Sequence, residues 1–516
     1  MSPFLSRRAF LNNVSLAGAG ALAARAANSV STGAEPGEAP GKSQGGYTHR
    51  IAFGAWINDM RSEPLPLENW PAPQLDEITI QSALAAMDVQ REAGFNVLDN
   101  FGLFATLAYP LDVASAFADP ERRRKVVRLL DEAKKRGLKT LFGMGLFTWG
   151  FDEIIRRDPE VCGKDSAGKP HPHAMCGAKE KAWKYVEKIL DAALGQFDFG
   201  GVHLESADLG WCECPECAGK YGRVGYNVRL NVRAAQYLRS KWPGKLITVI
   251  PINWVGGPGH EYFNEEEKKQ IVELSRHVDC FMDQGWRGTF IAPSERKEFA
   301  RRLHCAYGTS GGLWLYHSAR YDRTAYFLPY PRRAGKAIQE HFQDGARACM
   351  FYQGPMVNPA VEVNTAVGGR ILTDPSRSPE DALAEVIGRC YKPKSPAAEK
   401  KLAELFLRAE EAYFGQWDAK RFRAVHNTQP PGEFKINDAL WGHSPDPALY
   451  LLEPYLNAEG RQAYKGGLKA ILKDLAAIEG DFDDGGRIRR MQRALIITLS
   501  LINTVRACKN EPWSAD

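Results

Sequence analysis

Past its first few dozen residues the chain has no uninterrupted apolar run approaching the ~20 residues a membrane-spanning helix needs, so no span is expected. Net charge is also small, +5 from 67 Lys and Arg against 62 Asp and Glu. No block of basic residues interleaves with aromatics, and nucleic acid is therefore not an expected partner. No Gly-x-Gly-x-x-Gly follows the first strand-like run, which disfavours an open dinucleotide-binding sheet. No Gly-x-Ser-x-Gly elbow stands where a strand candidate meets a helix candidate, so an acyl-serine mechanism has little support. The first strand candidate, with Ala52-Phe53-Gly54-Ala55, lacks the His-x-His usual in metallohydrolase barrels. Ten cysteines are present, yet a chain of 516 residues needs no disulfide framework to hold its core.

What the chain does have begins with Ser6-Arg7-Arg8-Ala9-Phe10-Leu11, followed by a short apolar stretch rich in small residues. This pattern reads as a twin-arginine export signal over residues 1–27, with a small-x-small cleavage site at Ala24-Arg25-Ala26. Residues 28–48, dominated by Ser, Gly, Glu and Pro, read as a disordered linker. The expected location is periplasmic or extracellular, with the twin-arginine machinery as export partner.

Beyond the linker, short apolar runs alternate with amphipathic stretches, the pattern of repeated βα units around a parallel sheet. Strand candidates are 50–57, 96–101, 139–144, 200–205, 246–253, 278–284, 311–316 and 347–352, with helix candidates 75–93, 120–136, 179–194, 224–241, 265–276, 294–304 and 332–342 between them. Eight units predict a (β/α)8 TIM barrel over 49–370, with its active site at the carboxyl ends of the strands. From 371 to 516 only helical patterns follow, at 379–391, 396–414, 447–456, 459–478 and 486–508. They predict an α-helical C-terminal domain that packs beside the barrel and mediates homodimer contacts. The connection 354–370, with Asn358, Glu362 and Asn364, is expected to be a loop reaching back over the barrel mouth.

Each strand candidate carries an aromatic residue at or just past its end: Trp56, Phe101, Trp149, Trp211, Trp254, Trp286, Tyr316 and Tyr352. Flat rings at a barrel mouth suit stacking on sugar faces, and polar neighbours suit the hydroxyls. Asp99, His203, Asp208, Asn253 and His317 join the rings, Phe101 excepted, as expected substrate contacts. Glycoside hydrolysis needs a protonated acid for the leaving oxygen and a second carboxylate for the anomeric centre or its water. Glu205, ending the buried run Gly200-Gly-Val-His-Leu, is the expected acid, because burial disfavours its ionised form. Asp283 is the expected partner two strands on, roughly 10 Å away at ~4.8 Å per strand, with Asp99 and Asp208 in reserve.

Cys212-x-Cys214-x-x-Cys217 packs three thiols into six residues, and Cys176 lies in the connection of the neighbouring strand. The four suit a closed tetrahedral zinc site that pins two active-site loops together. One or two disulfides among them would pin the same loops, and free buried thiols are the third alternative. No cofactor is expected for catalysis itself.

The acid-ended strand, then Asp208-x-Gly210-Trp211-Cys212-x-Cys214-x-x-Cys217, with Met175-Cys176 and Trp183 upstream, resembles exported bacterial glycoside-hydrolase-like barrels. These are similar to α-glucuronidase and β-hexosaminidase barrels, and the resemblance spans roughly residues 50–354. It implies an enzyme acting on a polysaccharide or glycan, with the acid after the fourth strand, at Glu205. Leu204 precedes Glu205 where hexosaminidases have an adjacent Asp-Glu pair, so the resemblance does not extend to substrate-assisted cleavage of an N-acetyl sugar. Two alternatives remain: a metal-dependent hydrolase using His203, Asp283 and His317, and a glycan-binding protein without catalysis.

Overall fold

Strands rich in Val, Ile, Leu and Phe, short and bounded by Gly or Pro, are stable only where both faces are covered. A computed structural model describes residues 45–54, 61–62, 75–101, 103–104, 117–255, 259–284, 289–311, 326–417, 452 and 456–508. In chain order its strands are β1 (His49–Gly54), β2 (Val97–Phe101), β3 (Lys139–Leu146), β4 (Cys162–Lys164), β5 (Pro170–Met175), β6 (Gly201–Ser206), β7 (Leu246–Ile250), β8 (Cys280–Met282), β9 (Ala306–Gly311) and β10 (Ala348–Tyr352). All but β4 and β5 are parallel and close into one barrel, β10 pairing back onto β1. A ring of helices surrounds it, as the βα pattern predicts.

Register decides which side chains meet at the axis. Phe53 lies beside Asp99, Asp99 beside Leu141, Gly143 beside His203, and Gly145 beside Glu205. Ile51, Val97, Leu141, Leu246, Cys280, Met282 and Met350 share this inward face and pack together along the axis. The alternate residues, among them Ala52, Leu98, Phe142, Val202, Val249, Phe281 and Phe351, form the larger core between strands and helices.

Local chemistry sets the helix bounds. Asp76, Asn264, Asn358, Ser378, Ser395 and Asn457 each cap a helix N-terminus through the side chain, and Asn264 with Glu267 forms a capping box. Gly94 ends the helix Glu77–Ala93 at φ 102, where a side chain would be strained.

Three expectations need correction. The seventh barrel strand is Ala306–Gly311, not 311–316; its sequence, AYGTSG, carries two glycines and little apolar content, so the neighbouring GLWLY run looked more strand-like. A Cβ at Gly308 would meet the end of the Met282 side chain, which would have to shift. The connection 354–370 is not a loop over the mouth but leads into a buried helix, Pro359–Thr373. It packs against Glu77–Ala93 and Pro331–Gln343 and so closes the helical ring. Its β-branched residues and Gly368-Gly369 obscured it, since each lowers helix propensity. Asn364 accepts from the Tyr330 amide at 2.8 Å, and Glu362 pairs with Arg487, so neither reaches substrate. Finally, the long connection after β3 contains the antiparallel pair β4–β5.

The helices Pro379–Tyr391, Pro396–Phe414, Ala458–Ala477 and Gly485–Cys508 follow, each packed on its predecessor. Buried Glu410 receives the Arg332 and Arg333 amides at 3.0 and 2.8 Å, capping a barrel helix from the C-terminal helical region. By its contacts Gly45–Asp516 forms one compact unit. Among the described residues no helix is long and apolar enough to cross a membrane.

A Cβ at Gly368 would strike the Phe351 ring of β10, the contact that seats the last barrel helix. Gly368→Ala is expected to destabilise the chain by ~1–3 kcal/mol, read as a lower midpoint in urea denaturation with an unchanged slope.

Candidate active site

Inward parity brings Asp99, His203 and Glu205 together at the carboxyl-terminal end of the barrel. Gly143 and Gly145, their inward neighbours on β3, have no side chains to fill that space. Asp99 and His203 are completely buried, and His203 Nδ1 lies 2.6 Å from Asp99 Oδ2. The other ring nitrogen, Nε2, faces Glu205 Oε2 at 3.7 Å. A buried carboxylate thus orients an imidazole, which in turn abuts the strand-end acid.

Asp208 completes the group through a turn that a strand pattern cannot show. Ala207 takes φ 74, a left-handed conformation uncommon for a residue with a side chain, and this reversal turns Asp208 toward Glu205. The two carboxyls interact by a hydrogen bond. Burial, then the charge and hydrogen bond of Asp208, push the Glu205 carboxyl well above the usual range. Burial likewise raises Asp208 to about 7, against a smaller lowering by its bond to Glu205. Asn253, also left-handed at φ 58, donates to the Asp208 carbonyl at 3.0 Å and accepts, through its own carbonyl, from Arg223 Nε at 2.6 Å. The Arg223 guanidinium lies 4.1 Å from the Trp211 ring centroid, covering one face of a half-buried indole.

Asp283, the expected second carboxylate, is placed differently. Cys280 and Met282 point inward, so the next residue points outward, beside Phe281 and away from the axis. Its Oδ1 accepts the Phe290 amide at 2.6 Å, and its Oδ2 accepts Tyr307 Oη at 2.7 Å and the Ile291 amide at 3.3 Å. Asp283 therefore secures the connection after β8 and is not the partner of Glu205. His203 and Asp283 lie on opposite faces of the sheet and do not form a metal site together. Trp254 is likewise a core residue with no exposure, its Nε1 donating to Ser206 Oγ at 3.0 Å, so it cannot stack on a substrate. Trp149, at φ 53, and Tyr352 cap the inner core, and Gln284 Nε2 donates to Tyr352 Oη at 2.7 Å. Trp56, Trp286, Tyr316 and His317 lie outside the described residues. Ser310, central in the sequence Gly308-Thr-Ser-Gly-Gly312, is inside β9 rather than at a strand-to-helix turn, so it is no nucleophile elbow.

Sequence reasoning missed the β4–β5 hairpin beside this group. His171 and His173 occupy alternate positions of β5; His173 Nδ1 lies 3.1 Å from Asp152, and His171 abuts Gly210, where a Cβ would come within 2.5 Å of its ring. The alternating Pro-His-Pro-His was the available signal. Immediately after β5, Cys176 meets Cys212, Cys214 and Cys217, the four sulfurs all within 4.8 Å of one another. A surface cavity of about 660 Å³ lies outside the barrel against Cys217, Tyr221 and Tyr226, and none of the mouth carboxyls lines it.

No protein family and no curated protein matches the sequence. Solved structures do match the fold, and these neighbours are glycoside hydrolases. A family GH115 4-O-methyl-α-glucuronidase superposes with TM-score 0.52 at 12% identity, over 91% of this chain and 56% of its own. The chain thus spans little more than half of that enzyme. An O-GlcNAc hydrolase of Thermobaculum terrenum gives TM-score 0.48 at 10% identity, over 90% of this chain and 85% of its own. A chitobiase of Flavobacterium johnsoniae gives 0.40 at 11%, over 84% and 71%. At these identities the likeness is one of fold.

Asp283→Asn removes an acceptor from a buried set of three donors, which should cost ~1–3 kcal/mol. The expected result is a melting temperature lowered well beyond that of Glu205→Gln; an unchanged melting temperature would return Asp283 to the candidate acids.

Proposed function

We propose that the chain is a glycoside hydrolase in which the Glu205–Asp208 pair delivers a proton to the leaving-group oxygen of a polysaccharide or glycan. The observation that carries this reading is the contact of two acids at the mouth of a barrel whose solved neighbours are glycosidases. Two carboxyls in contact cannot both ionise cheaply, so one keeps its proton near neutral pH. Glu205, the more deeply buried and the more strongly raised, is the proton donor; Asp208, partly buried and raised less, is the one that ionises. Its anion would then stabilise positive charge developing at the sugar ring.

His203, held by Asp99, is a positioning residue whose ring abuts the Glu205 carboxyl. The half-buried Trp211 indole is the aromatic surface proposed to meet a sugar ring. Hydrogen-bonded carboxyls are closer than the ~5–5.5 Å of a retaining pair or the ~6.5–9.5 Å of an inverting pair. The pair therefore does not supply the attacking group, and attack on the anomeric carbon falls to a group on the opposite sugar face. Export by the twin-arginine route, from the pattern at Arg7-Arg8, belongs to the same reading and places the substrate outside the cytoplasm.

A panel of aryl glycosides and polysaccharides tests the activity. Glu205→Gln is expected to lower kcat by ~10²-fold or more while leaving the melting temperature and glycan binding intact. Binding by wild type with no turnover on any member of the panel would overturn the enzyme reading in favour of a glycan-binding protein.

Asp208 carries a pH signature. Its folded pKa is raised, so its stability contribution is full below pH ~4 and is lost as pH rises through about 7. Asp208→Asn should thus match wild type in melting temperature near pH 4 and exceed it at pH 8, by ~1 kcal/mol or more in stability. The acid limb of kcat/KM near pH 7 should vanish in the same variant.

A further inference from the structure

We infer that Cys176, Cys212, Cys214 and Cys217 bind one Zn²⁺ as four thiolates in a closed site that ties the β4–β5 hairpin to the turn carrying Asp208. All four sulfurs lie within 4.8 Å of one another, and two of their separations match a tetrahedral thiolate site. Cys176 Sγ lies 3.7 Å from Cys217 Sγ and 3.9 Å from Cys214 Sγ. A tetrahedron with Zn–S bonds of ~2.3 Å has edges of ~3.8 Å, whereas bonded sulfurs sit ~2.05 Å apart.

The backbone is arranged to point the sulfurs at one centre. Cys217 N–H donates to the Cys214 carbonyl at 3.0 Å, and Ala218 N–H donates to the Cys212 carbonyl at 3.2 Å, a tight turn that gathers the Cys-x-Cys-x-x-Cys thiols on one side. The Lys164 amide donates to Cys212 Sγ at 3.3 Å, a bond suited to a metal-bound thiolate. Gly163 makes this approach feasible, since a Cβ there would sit 3.1 Å from Cys212 Cβ and 2.8 Å from the Ala174 carbonyl. Cys176, Cys212 and Cys217 are buried and Cys214 is half-buried, so the four sulfurs leave no open coordination position. Such a set suits a structural metal, and all-thiolate tetrahedral coordination suits zinc. Binding releases the four thiol protons to solvent and changes no oxidation state.

The position of the site supplies its role. Residues 207–211 run between the end of β6 and Cys212, so the metal anchors the far end of the turn that folds Asp208 onto Glu205. That consequence rests on reading the pair as the reacting centre; the metal site itself does not.

The test uses the full chain purified from cytoplasm without added metal. Elemental analysis is expected to find about one zinc per chain. Titration with an organomercurial, in the presence of a metallochromic indicator, should release it as four thiols react. Cys176→Ser and Cys212→Ser should each hold less than about a tenth of the wild-type zinc, whereas Cys162→Ser, in the same hairpin but outside the set, should keep it. If the two ligand variants do not accumulate, wild-type stoichiometry and titration decide alone. Three results would overturn the site: a metal-free chain whose intact mass shows hydrogen lost to disulfides, iron in place of zinc, or zinc retained by both ligand variants. None of these readouts uses activity, so failure here is distinct from failure of the glycosidase reading.

Discussion

A strand closed into a barrel sends alternate side chains to the axis and to the surrounding helices, and the hydrogen-bonded register carries that parity from each strand to the next. In this chain the parity runs from Phe53 through Asp99, Gly143 and His203 to Glu205, and it gathers three ionisable groups on the inward side. The same rule sends Asp283 outward to Tyr307 and Trp254 into the helix-facing core. A residue one position off the parity, however well suited by chemistry, belongs to the scaffold.

Burying acids is costly unless they are paired or protonated, and the mouth uses both remedies. Asp99 is paired with His203, whereas Glu205 and Asp208 are held in contact with raised proton affinity. Holding that contact requires a backbone few residues adopt willingly. Phe147, Trp149, Ala207 and Asn253 all have positive φ, and all lie just past the carboxyl ends of β3, β6 and β7. Each such residue costs of order 1–3 kcal/mol and persists only where its surroundings over-determine it. Here the surroundings are Asn253 on the Asp208 carbonyl, Arg223 between Asn253 and Trp211, and the cysteine cluster one turn further on.

Much of the architecture was legible because its signals are local. Short apolar runs alternating with amphipathic stretches located seven of the eight barrel strands and most helices. Pro379–Tyr391 and Pro396–Phe414 were found to the residue. Two of the exceptions share one cause. In Ala306–Gly311 and Pro359–Thr373 glycines stand where neighbouring side chains need the room, Gly308 for Met282 and Gly368 for Phe351. Packing there overrides propensity, and the local pattern reads as something else.

The sequence alone determined the eightfold βα repeat, the strand that ends in Glu205 and the Cys-x-Cys-x-x-Cys cluster, because each is written in residues close together in the chain. Only the tertiary structure decided which carboxyl faces Glu205. Strands buried on both faces are apolar throughout, so their residues do not declare which way they point, and the left-handed turn at Ala207 lies beyond any periodic pattern. Asp208 rather than Asp283 meets Glu205 because register and one backbone reversal, both properties of the closed barrel, place it there.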